Sequence, residues 1–196
     1  MASNAKLARE DLWSLEDYAE KRSAFRAKVM EHKKDRQVRL GAHATLYFED
    51  AITMKYQVQE MLRVEKIFTR AEIEEELQAY NPLIPDGSNW KATFMIEYRD
   101  AVERGHALAR MPGIEDKVWV QIGDAEKIYA VANEDLPRST QDKAAAVHFM
   151  RFELGTSNVA AVKAGATVAM GIDHHELPYQ IELDAAAANS LAQDLA

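Results

Sequence analysis

The chain has 196 residues, 47% hydrophobic and 29% charged, with a formal net charge of -8. Its length suits one globular core, and no apolar run approaches the roughly 18 residues that a membrane span needs. The absence of cysteine excludes disulfides, thiolate metal sites, iron-sulfur ligation and cysteine nucleophiles, while the acidic balance argues against general nucleic-acid binding. The opening MASNAKLARED lacks the apolar centre of a secretory signal. A single domain over 1-196, soluble and cytoplasmic, is the resulting expectation.

Leu7 to Arg36 reads as a helical hairpin or one broken helix, with Ser14 as N-cap and Asp17 at capping-box spacing. Leu15, Tyr18, Arg22, Phe25 and Val29 recur on one face. Lys21, Arg26, Lys28, Lys33 and Lys34 lie on the other, and with no aromatics interleaved for base stacking they read as a solvated face. Gln37 to Glu49 alternates and is read as one strand, with Leu40, Ala42, Ala44, Leu46 and Phe48 on one side. His43 and Glu49 share its polar face, but at about 3.3 Å per residue they stand roughly 20 Å apart. They are too distant to ligate one ion, so a site here uses one or the other.

Ala51 to Phe68 contains no Gly or Pro and is read as an amphipathic helix. At 100° per residue, Ala51, Met54, Val58, Met61, Leu62, Val64 and Phe68 share a broad apolar arc. Lys55, Gln59, Arg63 and Lys66 fall opposite, and Gln57 and Glu65 fall inside the arc. A carboxylate carried inward without compensation costs several kcal/mol, so Glu65 is expected to be paired, hydrogen-bonded, protonated or placed in a ligand cavity.

Arg70 to Tyr80 is read as a second helix that buries Ile73, Leu77 and Tyr80 and stops at Asn81-Pro82. A strand follows at Trp90 to Tyr98, then a helix from about Asp100 to Arg110 ended by Pro112-Gly113. Val118 to Ile122 and Lys127 to Ala132 read as two strands joined by a Gly-Asp turn. Asn133 to Lys143 is polar and reads as a mobile loop. In the strand of AAAVHFMRFEL, His148, Met150, Phe152 and Leu154 share one side, with Val147, Phe149, Arg151 and Glu153 on the other. The Arg151 fork is the expected partner of Glu65. A short helix over Ser157 to Ala164 and a strand over Thr167 to Asp173 precede the titratable run Asp173, His174, His175, Glu176. Adjacent residues of an extended chain point apart, so this run lacks metal-site spacing. The tail, Asp184 to Leu195, reads as an Ala-rich helix docked on the sheet or on another subunit. The fold class is therefore α+β, a mixed, mainly antiparallel sheet of about five to six strands packed by several helices.

The segments EDLWSLEDYAEKRSAFRAKV, FED with VQEMLRVEKI, ELQAYNPLIP, AVHFMRFEL and GIDH together resemble a bacterial family catalogued as domain of unknown function 3501, across nearly the whole chain. The resemblance implies attention to His43, Glu49, Gln57, Glu60, Arg63, Glu65, Asn81, His148, Arg151, Asp173 and His174. Relatives look to be encoded beside rubrerythrin-like and iron-sulfur proteins, which implies peroxide defence or anaerobic electron transfer, with a redox partner protein.

No phosphate loop, dinucleotide fingerprint, serine elbow or internal repeat is present. The first reading is thus a non-enzymatic accessory or binding protein without a cofactor. In it Gln57, Glu60, Arg63, Glu65, His148 and Arg151 form a buried polar network that recognises a small anionic ligand or fixes the fold. The alternative is a metal-dependent or acid-base enzyme using Glu60 or Glu65 with His148. Its metal set would be Glu65, His148 and His174, holding divalent iron, manganese or zinc.

Overall fold

A computed structural model describes residues 5-140 and 142-196; Gln141 and the first four residues lie outside the described residues. The described residues form six helices and nine strands, the expected α+β architecture, but in two antiparallel sheets instead of one. After one helical turn at Arg9–Asp11, α1 (Leu15–Lys34) runs unbroken from its Ser14 cap, whose hydroxyl accepts from the Asp17 N–H at 3.1 Å. The stretch read as one strand is a hairpin, β1 (Gln37–Arg39) and β2 (Ala44–Glu49), reversed through Gly41 at φ 82°. Glycine there takes a left-handed conformation that a side chain would disfavour. The apolar alternation survives the reversal because Val38, Leu40, Ala44, Leu46 and Phe48 still reach one core.

Helix α2 (Ala51–Glu65) starts at Asp50, whose carboxylate accepts from the Ile52 and Thr53 N–H groups. It stops where Lys66 turns left-handed at φ 57°. Helix α3 (Arg70–Tyr80) and a turn at Asn81–Leu83 follow, then β3 (Asn89–Ile96) and α4 (Ala101–Ala109). β4 (Val118–Ile122) opens the second sheet. The strand expected over Lys127 to Ala132 divides at Ala130 into β5 (Ile128–Tyr129) and β6 (Val131–Ala132), which belong to different sheets. β7 (Val147–Glu153), α5 (Gly155–Lys163), β8 (Val168–Ile172), β9 (Tyr179–Glu182) and α6 (Ala185–Ala192) complete the chain.

The sheets run β1-β2-β3-β7-β6 and β5-β4-β8-β9. Their inner faces, with residues such as Trp90, Phe94, Phe152, Val120 and Met170, share one core with Leu191 of α6. The tail docks on the sheet, where the Trp90 indole N–H donates to the Leu191 carbonyl at 2.9 Å. A second apolar cluster joins Val58 and Leu62 of α2 to Leu77 of α3 and to Leu7, Leu12 and Leu15. No helix among the described residues is long and apolar enough to cross a membrane.

Glu65 does not turn inward. It is the last residue of α2 and is exposed, and Val64 and Phe68, which widened the apolar arc around it, are 61% and 74% exposed. A wheel drawn over Ala51 to Phe68 assumes one helix, whereas the chain leaves it at Lys66. On the side expected to face solvent, Gln59 is fully buried. Its amide accepts from the Trp13 N–H at 2.6 Å, and the Lys55 ammonium lies 4.0 Å from the centre of the Trp13 ring. The amino-terminal segment therefore covers what the wheel left bare.

Candidate functional site

Strand register assembles the site. On the outer face of the five-stranded sheet, Tyr47 pairs with Thr93 and Thr93 with Phe149; one row on, Glu49 pairs with Lys91 and Lys91 with Arg151. Residues directly opposite in antiparallel strands share a face with Cβ atoms about 5 Å apart, so acid, ammonium and guanidinium lie side by side. Helices α2 and α3 and the Asn81–Leu83 turn stand over these rows. Between helices and sheet lies a cleft region of two neighbouring lobes, about 420 Å³ and 360 Å³, which have Leu83 and Phe149 as common wall residues.

The first lobe is lined by Glu49, Gln57, Tyr80 and Thr93 with Met54 and Val147. Glu49 is 8% exposed, and its carboxylate oxygens accept one hydroxyl each, from Thr93 at 2.9 Å and Thr53 at 2.7 Å. Among the described residues no Lys, Arg or His nitrogen comes within 4.0 Å of that carboxylate. Two hydroxyl donors satisfy half of what a carboxylate can accept and leave its charge unbalanced.

The second lobe contains Lys91, Glu134, Asp135 and Arg151, with Pro82, Leu83 and Phe149 as apolar wall. Arg151 is fully engaged: its Nε and Nη2 donate to Glu134 at 2.9 and 2.8 Å, and its Nη1 donates to Glu153 at 2.7 Å. These bonds, led by Glu134, raise its pKa further. Lys91 is half-buried, and its ammonium forms no hydrogen bond or ion pair among the described residues. Burial pulls its pKa down, and the nearby Glu134 charge opposes that.

Of the residues singled out from sequence, Gln57 lines the first lobe and Arg151 the second. The expected Glu65–Arg151 pair does not form, because Arg151 is bound by Glu134 and Glu153 while Glu65 is exposed. Glu60 and Arg63 belong to a different cluster. The Glu60 carboxylate accepts from Arg22 at 2.7 and 2.9 Å, from the Tyr18 hydroxyl at 2.6 Å and from Arg63 at 3.1 Å, tying α1 to α2. The Arg22 fork holds its pKa down to about 2.

His148 lies on the core side of β7, fully buried. Its Nε2 faces the Ala145 carbonyl at 3.0 Å and its Nδ1 the Asn133 amide nitrogen at 3.0 Å, which assigns the proton to Nε2. Burial depresses its pKa. A His whose folded pKa is lowered contributes stability above the unfolded value and loses it as pH falls through that value. The ring is expected to titrate below the ordinary histidine value by ring ¹⁵N chemical shifts; a midpoint at or above about 6.5 would contradict the assignment.

His174 is also buried, its Nδ1 accepting from the Glu176 N–H at 3.3 Å and its ring stacked on His175 at 4.5 Å. Glu176 is held by Arg110 at 2.8 Å, and Asp173 accepts from Trp119, Lys127 and Tyr129. Glu65, His148 and His174 are not brought together. Among the described residues no group of three or more His, Asp or Glu is placed to hold a metal ion. His43 is partly buried and stacks on Tyr98 at 3.9 Å. Lys91 was not singled out from sequence, where it fell within the strand read at Trp90 to Tyr98. The available signal was that its strand, the Arg151 strand and the Glu49 strand each carry a charged residue on an outer face.

The fold and its cleft define an α+β protein with two antiparallel sheets, one of which carries charged side chains beneath a helical layer. The chain belongs to the family described as protein of unknown function (DUF3501), whose model matches residues 6–195. It is similar to a solved structure titled a novel protein of unknown function from Burkholderia pseudomallei K96243, with 49% identity and a TM-score of 0.93. That match covers 98% of this chain and 100% of the other. Comparison with curated proteins gives no match.

Proposed function

We propose that this chain is a binding protein that takes a small anionic ligand in the outer-face cleft, with Lys91 as the residue that receives the anion. The observation behind this reading is the half-buried Lys91 ammonium, which makes no ion pair within 4.0 Å among the described residues, feels the charges of Glu134, Asp86 and Glu153 only at longer range, and stands beside Arg151 on the cleft floor. An ammonium partly removed from water without a partner is costly, and a ligand carboxylate or phosphate at that point recovers the loss. Leu83, Pro82 and Phe149 offer an apolar wall for the ligand body, and Gln57 offers an amide in the first lobe. Arg151 is neutralised by Glu134 and Glu153, so it braces the cleft floor and leaves the anion to Lys91. The redox setting implied by the family resemblance would lie with the ligand or a partner protein, since a chain without cysteine has no thiol couple of its own.

Calorimetric titration with a panel of small carboxylates and phosphates tests the reading. At least one is expected to bind with Kd below about 1 mM, and Lys91→Met is expected to weaken it at least about tenfold. Binding that Lys91→Met leaves unchanged would overturn the proposal, as would no binding by any of the panel at about 10 mM.

A further inference from the structure

Resting on that reading, we infer that the ligand is a zwitterion of the amino-acid type, whose carboxylate meets Lys91 and whose ammonium meets Glu49. Glu49 carries this step. Removing a carboxylate from water to 8% exposure ordinarily requires a cation or a full set of donors, and Glu49 has two hydroxyls. Lys33 lines the same lobe, but its ammonium makes no ion pair with Glu49 within 4.0 Å. The strongest candidate for the missing partner on the chain is Lys91, which stands directly opposite Glu49 across β2 and β3. Yet the two form no ion pair among the described residues.

Their separation has a visible cause. The Glu49 carboxylate is drawn toward α2 and the next row of the sheet by Thr53 and Thr93, which places it in the first lobe. Lys91 opens into the second lobe, toward the charges of Glu134 and Arg151. Two opposite charges on neighbouring strands, neither ion-paired within 4.0 Å and each facing one of two lobes that share a wall, are complementary to a small molecule carrying the reversed pair. Each oxygen of Glu49 retains acceptor capacity for an ammonium N–H. The apolar wall common to both lobes, Leu83 and Phe149, favours a side chain such as that of leucine or phenylalanine over a polar one.

The experiment pairs each amino acid with its deaminated counterpart on the intact chain: leucine with 4-methylpentanoate, phenylalanine with 3-phenylpropanoate. The amine-bearing member of a pair is expected to bind at least about tenfold more tightly, and Glu49→Gln is expected to reduce that preference to about twofold or less. Lys91→Met is expected to weaken both members. If the deaminated acids bind as well as the amino acids, the ammonium role of Glu49 is refuted while the anion role of Lys91 stands. If neither member of any pair binds, the inference fails, and the wider panel of carboxylates and phosphates then decides the anionic reading separately. Should Glu49→Gln not fold, the comparison within the unaltered protein decides alone. A preference that persists in a folded Glu49→Gln variant also overturns the assignment.

Discussion

Arg36→Met is expected to destabilise the fold by about 3–5 kcal/mol, lowering the melting temperature on the order of 10 °C. Arg36 follows α1 and is 2% exposed. Its Nε donates to the Phe48 carbonyl at 3.2 Å, its Nη2 to the Glu49 carbonyl at 3.0 Å and to Asp194 Oδ2 at 2.5 Å, and its Nη1 to the Ser190 carbonyl at 3.4 Å. It also lies 3.5 Å from Asp50, which caps α2 and is held by His32 at 2.5 Å. One side chain thereby fastens the end of α1, the end of β2, the start of α2 and the tail beyond α6. Methionine keeps much of the volume and leaves two buried carboxylates without their shared cation.

The pH dependence gives the prediction a second readout. Burial pushes the Asp194 pKa up to about 6 from 3.8, against the opposing pull of Arg36. An acid raised in the folded state contributes stability that is fully present below its unfolded pKa and is lost as pH rises through the folded one. Removing Arg36 removes the opposing pull, so the folded pKa of Asp194 moves higher and the loss extends to higher pH. The deficit of Arg36→Met relative to the parent should therefore shrink on acidification from about pH 7 to about pH 5. Asp50 is lowered, so its contribution declines only below that window. Urea unfolding at both pH values checks the claim; a loss under about 1 kcal/mol, or a deficit that grows with acid, would count against it.

Gly171→Ala is expected to cost about 3 kcal/mol, although it adds a single methyl group. Gly171 pairs with Trp119 across β4 and β8, and the indole lies over it, its N–H donating to Asp173 at 2.9 Å with the Lys127 ammonium 4.1 Å from the ring. A Cβ at 171 would stand 2.4 Å from Trp119 Cζ2 and 2.4 Å from the Tyr179 carbonyl oxygen. The second contact is with backbone, so β9 must shift for it to be relieved. Gly105 in α4 supplies the control, since a Cβ there meets nothing within 4 Å. Gly105→Ala is expected to stabilise by about 0.5–1 kcal/mol through helix propensity. Equal melting temperatures for the two variants would refute the steric account.

Local rules reached much of the architecture. Ser14 and Asp184 cap their helices, Arg70–Tyr80 forms the expected second helix, and β7 alternates with His148, Met150 and Phe152 inward. The candidate site was legible only in fragments. Gln57 and Arg151 were identified as unusual and line the two lobes, and Glu49 was noted on a polar strand face. Glu65 misled because two exposed apolar residues, Val64 and Phe68, imitated a core stripe at the end of a helix.

What the chain dictates by itself is whatever depends on neighbours within a turn or a strand: caps, alternation, breaks at Gly and Pro, and the exclusion of thiol chemistry. Those interactions span a few residues, so composition and spacing carry them. Tertiary structure alone decided that Glu49, Lys91 and Arg151 stand in one row, that Arg36 meets Asp194, and that Gln59 is covered by Trp13. Strand register and helix docking are set by the whole core at once, and a one-residue slip would turn each charged side chain to the opposite face.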